Sequence, residues 1–249
     1  MKAVILAAGY ATRLYPLTLN KPKCLLTIGD QTILDLLCDK LGTVKDLDEV
    51  VVVTNAKFFD QLNGWKAKRK TSLPVRVLND GTTSNENRLG AIGDLNFALR
   101  HCGPDSDVLM MASDNLFDQD LAGFANFSNL NRSSICVALY DIKDKNLAAK
   151  KFGVLEMNTA SEITGFEEKP ERPKSSLIGM GVYYFPKDSL KLVGEYLNRA
   201  DAEDAPGHYV RWLMDRVKIL GFLFSGLWYD IGNLEALEEA NQAFKQKKS

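Results

Sequence analysis

Apolar residues fall along this chain in two rhythms. In the first part, short unbroken apolar runs alternate with stretches whose apolar positions recur every three or four residues. The runs AVILAA (3–8), EVVVVT (49–54), LPVRVLN (73–79) and DVLMMASD (107–114) have the pattern of strands buried on both faces. Between them, residues 31–41, 57–69 and 88–101 carry helical spacing, and Asp30 stands where an N-cap for the first of these is expected. This β-α-β-α order predicts a doubly wound sheet with helices on both faces. From about residue 132 the rhythm changes. SSICVALYD, KFGVLEM, EITGFEEKP, LIGMGVYYF, KILGFLF and GLWYDIG read as strands separated by turns, with helices over 187–199 and 233–246. The expected class is α/β: a three-layer α/β/α sandwich around a mostly parallel sheet. It forms one domain over 1–249, with a first half (1–131) and a β-richer second half (132–249).

Composition narrows the class without changing it. A chain of 249 residues can bury a large core. Its 31 basic residues are offset by 32 acidic ones, so no polyanion-binding surface is expected, nucleic acid is disfavoured as a partner, and any anion site must be local. No apolar run reaches the roughly 18 residues that a membrane-spanning helix needs. The opening MKAVILAAG has no small-residue cleavage site after it and reads as a buried strand. Cys24, Cys38, Cys102 and Cys136 are widely spaced, and His101 and His208 are the only histidines. A zinc site is therefore disfavoured, and reduced thiols in a cytoplasmic protein are expected.

The candidate chemistry starts at LAAGYATRLYPLTLNKPKCLL, residues 6–26. This connection leaves the C-terminal end of the first strand, the edge at which open α/β sheets bind ligands. Gly9 lets the backbone turn tightly, and successive N–H groups in such a turn can form an anion-binding nest. Arg13 offers a planar fork that matches phosphate oxygens, Lys23 a compact point charge, and Pro16 and Pro22 stiffen the path between them. The same residues also suit a solvated basic loop, and neither GxxxxGK[ST] nor GxGxxG occurs in the chain.

The loop resembles the N-terminal signature of the sugar-1-phosphate nucleotidyltransferases, G-x-G-T-R-x-x-P-L-T-x-x-x-P-K-x-L. The match covers Gly9, Thr12, Arg13, Pro16, Leu17, Thr18, Pro22, Lys23 and Leu25 at unbroken spacing. It departs at Ala11, where a second glycine is common, and a positive φ is harder for alanine. The resemblance implies a Rossmann-like nucleotide-diphospho-sugar transferase fold, with 1–131 as the nucleotide half and 132–249 as the sugar-phosphate half. It implies that Ala8, Gly9, Ala11, Thr12 and Arg13 bind nucleotide, and that Arg13 and Lys23 act on the phosphates. It also implies a magnesium ion held by Asp114 of Ser113-Asp114-Asn115 and Asp230 of GLWYDIG; taken singly, each aspartate reads as a cap or turn residue. In GFEEKPERP, Glu168 would accept hydrogen bonds from sugar hydroxyls and Lys169 would neutralise the acceptor phosphate. Gly153 in KFGVLE and Gly181 in GMGVYYF would lie against the acceptor.

The base-reading segment is the least familiar part. NDGTTSNENRLGAIGDL stands where the family has a glycine-rich turn, which puts Asn79, Asn87 and Gly90 beside the nucleotide. Asn tolerates left-handed backbone angles, so the turn can survive at Asn87. The implied partners are a nucleoside triphosphate and a sugar 1-phosphate, with homo-oligomerisation left open and no membrane partner. Two other readings stand beside this one: a cytidylyltransferase acting on phosphocholine or another non-sugar phosphate, and a nucleotide-sensing module without turnover.

Overall fold

In the computed structural model, residues 1–248 other than 70, 72 and 104 are described, without the side chains of 246–248. The chain forms two compact units, neither continuous in sequence: Met1–Leu89, Met111–Leu121 and Gly226–Ser249 make unit 1, and Gly90–Met110 with Ala122–Ser225 make unit 2.

Strands β1 (Lys2–Leu6), β2 (Thr27–Ile28) and β3 (Gln31–Thr32), helix α1 (Ile33–Leu41), β4 (Glu49–Thr54), α2 (Phe59–Lys68) and β5 (Val75–Asn79) build the larger part of unit 1. Strand β4 is central: it pairs in parallel with β1, Lys2 opposite Glu49, and with β5, Val50 opposite Val75. Val51, Val52 and Val53 are fully buried, as a strand covered on both faces requires. Helix α3 (Gly90–Cys102) opens unit 2, and β6 (Val108–Ala112) carries the chain back into unit 1. There Ser113 N–H donates to the Leu6 carbonyl, at the exit of β1. Strand β7 (Asn115–Phe117) follows.

Unit 2 continues with α4 (Ala122–Leu130), β8 (Ile135–Asp141), β9 (Gly153–Met157), β10 (Ile163–Glu168), β11 (Leu177–Phe185), α5 (Lys191–Leu197), α6 (Pro206–Met214) and β12 (Ile219–Phe224). Here β10 pairs β9, and β11 pairs β9 and β8, all antiparallel; β12 pairs β8 in parallel. The chain then returns to unit 1 as β13 (Trp228–Asp230), antiparallel to β7, and α7 (Leu234–Lys248). Among the described residues no helix is long and apolar enough to cross a membrane.

The α/β class expected from periodicity is the one observed, with local corrections. Helix α1 is capped by Thr32 rather than Asp30, because the β2–β3 hairpin keeps the chain extended as far as Thr32. The cap is a reciprocal box: Thr32 Oγ1 accepts from Asp35 N–H, and the Asp35 carboxylate accepts from Thr32 N–H. The stretch expected as one helix over 187–199 is a 3₁₀ turn at Lys187–Ser189 followed by α5. Helices α4 and α6 fall where the spacing shows none.

Asp35 also ties α1 to α2. Its Oδ1 accepts from Trp65 Nε1 at 2.9 Å and Arg69 Nη1 at 2.6 Å, and Arg69 Nη2 reaches Asp39 Oδ1 at 2.7 Å. Burial pushes the Asp35 carboxyl up, yet the bonds from Thr32, Trp65 and Arg69 together hold it below its ordinary value. Removing it leaves the Trp65 indole N–H and one arm of the partly buried Arg69 guanidinium without their acceptor. Asp35→Ala is therefore expected to lower the unfolding free energy by about 3 kcal/mol in urea titrations. The sign of the pH dependence follows from the depressed pKa. The stabilisation is complete above roughly pH 4, the ordinary aspartate range, and is lost as pH falls through the lower folded-state value. Stability curves of wild type and variant should therefore converge in acid.

Candidate active site

The loop after β1 is built around Ala11. Its φ of 47° and ψ of 43° are left-handed, so the chain keeps here the turn that glycine makes without strain. The conformation costs an alanine about 1–2 kcal/mol, and two bonds hold its carbonyl. The fully buried Thr18 donates through Oγ1 to Ala11 O at 2.8 Å, and Leu14 N–H donates to the same oxygen at 3.0 Å. Upstream, the buried Asn55 donates through Nδ2 to Ala8 O at 2.8 Å, and its Oδ1 accepts from Phe58 N–H. Thr12 and Arg13 then form a 3₁₀ turn. Arg13 is exposed and has no hydrogen-bond or ion-pair partner among the described residues. Gly9 has nothing within 4 Å of where a Cβ would stand, so space is open above the turn.

Lys23, ten residues on, is anchored. Its ammonium donates to Asp114 Oδ2 at 2.8 Å and to the Ile231 carbonyl at 3.0 Å. Asp114 follows the end of β6, and its other oxygen accepts from Asn115 Nδ2 at 2.9 Å. Asn115 Oδ1 in turn accepts from Trp228 Nε1 at 2.9 Å. The β7–β13 ladder sets Asp230 opposite Asn115, and Ile231 N–H donates to Asp114 O at 2.9 Å. Tyr229 of β13 packs edge-on against Phe244 of α7. Of the two aspartates singled out for metal binding, Asp114 thus lies in the turn before β7 and Asp230 on β13, the strand paired with β7. Burial pushes the Asp114 carboxyl up, but the Lys23 charge and hydrogen bond, with the Asn115 amide, hold it below its ordinary value. Asp114 and Asp230 each carry carboxylate oxygens, the donor type Mg²⁺ takes from protein, usually one or two with waters and phosphates filling the rest. Among the described residues no group of three or more His, Cys, Asp or Glu side chains is assembled for a metal.

The residues expected to read the base mainly hold their own loop. Asn79 Oδ1 accepts from Gly81 N–H. Asn87 is not left-handed; its Oδ1 accepts from Thr83 and Ser84 N–H and its Nδ2 donates to Thr83 Oγ1. The positive φ falls on Gly90 instead, at 78°, where α3 begins in unit 2. Ala91 N–H there donates to Asp204 Oδ1, and a Cβ on Gly90 would lie 2.1 Å from that oxygen.

Unit 2 gathers the acceptor candidates. Gly153 stands opposite Glu168 in the β9–β10 ladder, and Lys169 N–H donates to Phe152 O. Lys169 has a left-handed φ of 45°, a strained position of the kind found at ligand clamps, and its ammonium lies 3.6 Å from Glu168 Oε1. Gly181, with φ 69°, lies within the register shift of β11 between Gly179 and Tyr183, a bulge that needs glycine. Sequence reasoning missed Thr18 and Asn55 as supports of the loop backbone, although Thr18 lies inside the signature. It also missed Gly207 beside Glu168 and Arg211 at the Phe166 carbonyl, for which the sequence offers no signal.

A family model described as nucleotidyl transferase matches residues 2–247. Among curated relatives, the bifunctional protein GlmU of Methanocaldococcus jannaschii is 28% identical over 99% of this chain and 55% of its own length. The glucose-1-phosphate adenylyltransferase of Bacillus cytotoxicus is 29% identical over 96% of this chain and 66% of its own. The chain thus spans between about half and two thirds of these relatives. Among solved structures, a putative glucose-1-phosphate thymidylyltransferase from Bacillus anthracis superposes with a TM-score of 0.81 at 24% identity, covering 98% of this chain and 94% of that one. A UDP-glucose pyrophosphorylase in complex with UDP-glucose gives 0.83 at 20% identity, covering 99% and 98%. These likenesses show the fold.

Lys23→Met removes the cation from Asp114 while keeping the side chain's bulk. The variant is expected to lose about 2–3 kcal/mol of unfolding free energy. In a carbon-detected NMR titration its Asp114 carboxyl should move up toward the value that burial alone favours.

Proposed function

The chain belongs to the nucleotidyl transferase family, and we propose that it converts a nucleoside triphosphate and a sugar 1-phosphate into a nucleotide sugar and pyrophosphate. The observation that carries this reading is the position of the Lys23 ammonium. It joins three motifs distant in sequence, bonding Asp114 and the Ile231 carbonyl next to Asp230. A lysine ammonium has three donors. Two are directed into protein, and the third is left for a phosphate oxygen.

In the reaction an oxygen of the acceptor phosphate attacks the α-phosphorus in line. The bond from that phosphorus to the bridging oxygen of the β-phosphate breaks, and pyrophosphate leaves. No covalent enzyme intermediate is needed, so positioning and charge stabilisation carry the rate. Arg13, exposed and without a protein partner, holds the triphosphate through its planar fork. Lys23 stabilises charge at the attacked phosphate. Asp114 and Asp230 would hold Mg²⁺, which supplies charge neutralisation on the phosphates when bound. Lys169 anchors the acceptor phosphate, Glu168 accepts from acceptor hydroxyls, and Gly153 keeps the strand clear beside them. The glucose-1-phosphate adenylyltransferase among the relatives supports a sugar 1-phosphate over phosphocholine as the acceptor.

A matrix of nucleoside triphosphates against sugar 1-phosphates and phosphocholine, read as pyrophosphate release, tests the proposal. Release is expected for at least one sugar 1-phosphate pairing. Asp114→Asn and Asp230→Asn should each lower kcat by about a hundredfold or more. Triphosphate binding with a flat matrix would instead favour a nucleotide sensor, and wild-type turnover in both variants would sink the metal assignment.

A further inference from the structure

Helix α6 packs against strand β10, and a missing side chain makes the contact possible. A Cβ on Gly207 would lie 2.1 Å from Phe166 Cζ and 2.5 Å from Glu168 Oε2. Non-bonded heavy atoms pack at about 3.5–4 Å, so no other residue fits without moving that ring and that carboxylate. Gly207 is not among the residues with positive φ, so space is the requirement here and not backbone freedom. Gly153 makes the same allowance from the neighbouring strand: its Cβ would stand 2.9 Å from Phe166 Cε2 and 3.2 Å from Glu168 Oε2. The Phe166 ring and the Glu168 carboxylate therefore share a slot walled by glycine on two sides. One helical turn beyond Gly207, Arg211 Nη1 donates to the Phe166 carbonyl at 3.0 Å and ties α6 to the backbone of β10.

The slot is unusual in what it accommodates. A glycine at a helix–strand contact commonly admits an apolar neighbour, whereas this one admits a carboxylate whose side chain remains 20% exposed. Gly207 lies in the first turn of α6, the end of a helix that favours negative charge. The buried Tyr183 phenol is pushed up by burial and further by the Glu168 charge.

We infer that Gly207 and Arg211 are positioning residues that set where the Glu168 carboxylate stands, and thereby the affinity for the hydroxyls of a phosphorylated sugar acceptor. This rests on the reading of Glu168 proposed above. Neither residue needs to touch the acceptor: Gly207 acts by leaving room, and Arg211 by fixing the strand from which Glu168 projects.

Gly207→Ala is the direct test, assayed with the sugar 1-phosphate that supports pyrophosphate release. It is expected to raise KM for that acceptor by about tenfold or more, while calorimetry shows the Kd for the triphosphate alone unchanged. On a Glu168→Ala background the same substitution should add little to the acceptor KM, because the carboxylate through which it acts is gone, although the Phe166 ring must still move. Arg211→Met fills no space and removes the donor to Phe166 O; it should raise the acceptor KM in the same direction, and it carries the test if Gly207→Ala does not fold. An unchanged acceptor KM, or a full additional loss on the Glu168→Ala background, overturns the inference. A crystal structure of Gly207→Ala separates the two claims. A Glu168 carboxylate still in place overturns the positioning role whatever the reaction. A displaced carboxylate in a protein whose wild type releases no pyrophosphate with any pairing supports the positioning and sinks the transferase reading.

Discussion

Lys23 is the point on which the candidate site of unit 1 turns. Its ammonium bonds the Asp114 carboxylate and the Ile231 carbonyl, and so joins the loop after β1 to the turn after β6 and the end of β13. An aspartate in so enclosed a place would otherwise favour its neutral form. The lysine charge keeps it ionised, which is the state a divalent cation requires of an oxygen ligand. The supports around the pair run outward in a chain: Asn115 to Asp114, Trp228 to Asn115, and Tyr229 packed on Phe244. Each link restricts the next, so the Lys23–Asp114 pair is oriented by residues behind it.

A comparable economy holds in unit 2, where it is achieved with absent atoms. Gly153 and Gly207 leave the volume in which Phe166 and Glu168 lie, and Arg211 holds the strand. At Lys169 and Gly181 the backbone takes left-handed angles, one at steric cost and one without. The strained angle falls on the lysine singled out for the acceptor phosphate, which is where stored strain is commonly found in binding sites.

How much of this was legible in the sequence varied with the kind of feature. The strands of unit 1 were readable because a valine run such as 50–53 has one good solution, burial on both faces. Helix α6 was not, since it opens with Pro206-Gly207, a pair that reads as a turn although proline is also a favoured first helical residue. Helix α4, AGFANFSNL, dilutes two Ala and a Leu with Gly, Asn, Ser and Phe, so its propensity signal is weak. The motifs singled out Arg13, Lys23, Asp114 and Asp230 as candidates, because spacing within each short motif is a local property. That Lys23 and Asp114 bond directly is a tertiary fact, as is the dependence of Glu168 on Gly207. The left-handed turn at Ala11 survives the loss of glycine because Thr18, seven residues on, grips its carbonyl.

The interleaving of the two units has a consequence for how the protein comes into being. Trp228 and Asn115 are 113 positions apart, and the segment that brings Ile231 and Asp230 to Lys23 and Asp114 belongs to the last part of unit 1. A ribosome makes the loop after β1 well before the strand that completes its surroundings. Until β13 is made the loop can hold its own turn, but β7 lacks the strand it pairs with and the lysine lacks one of its two protein acceptors. Pairings of such long sequence separation form slowly. The first residues of the site to be made are therefore among the last to be fixed, and a nascent chain released before β13 would carry the signature without the geometry that gives it meaning.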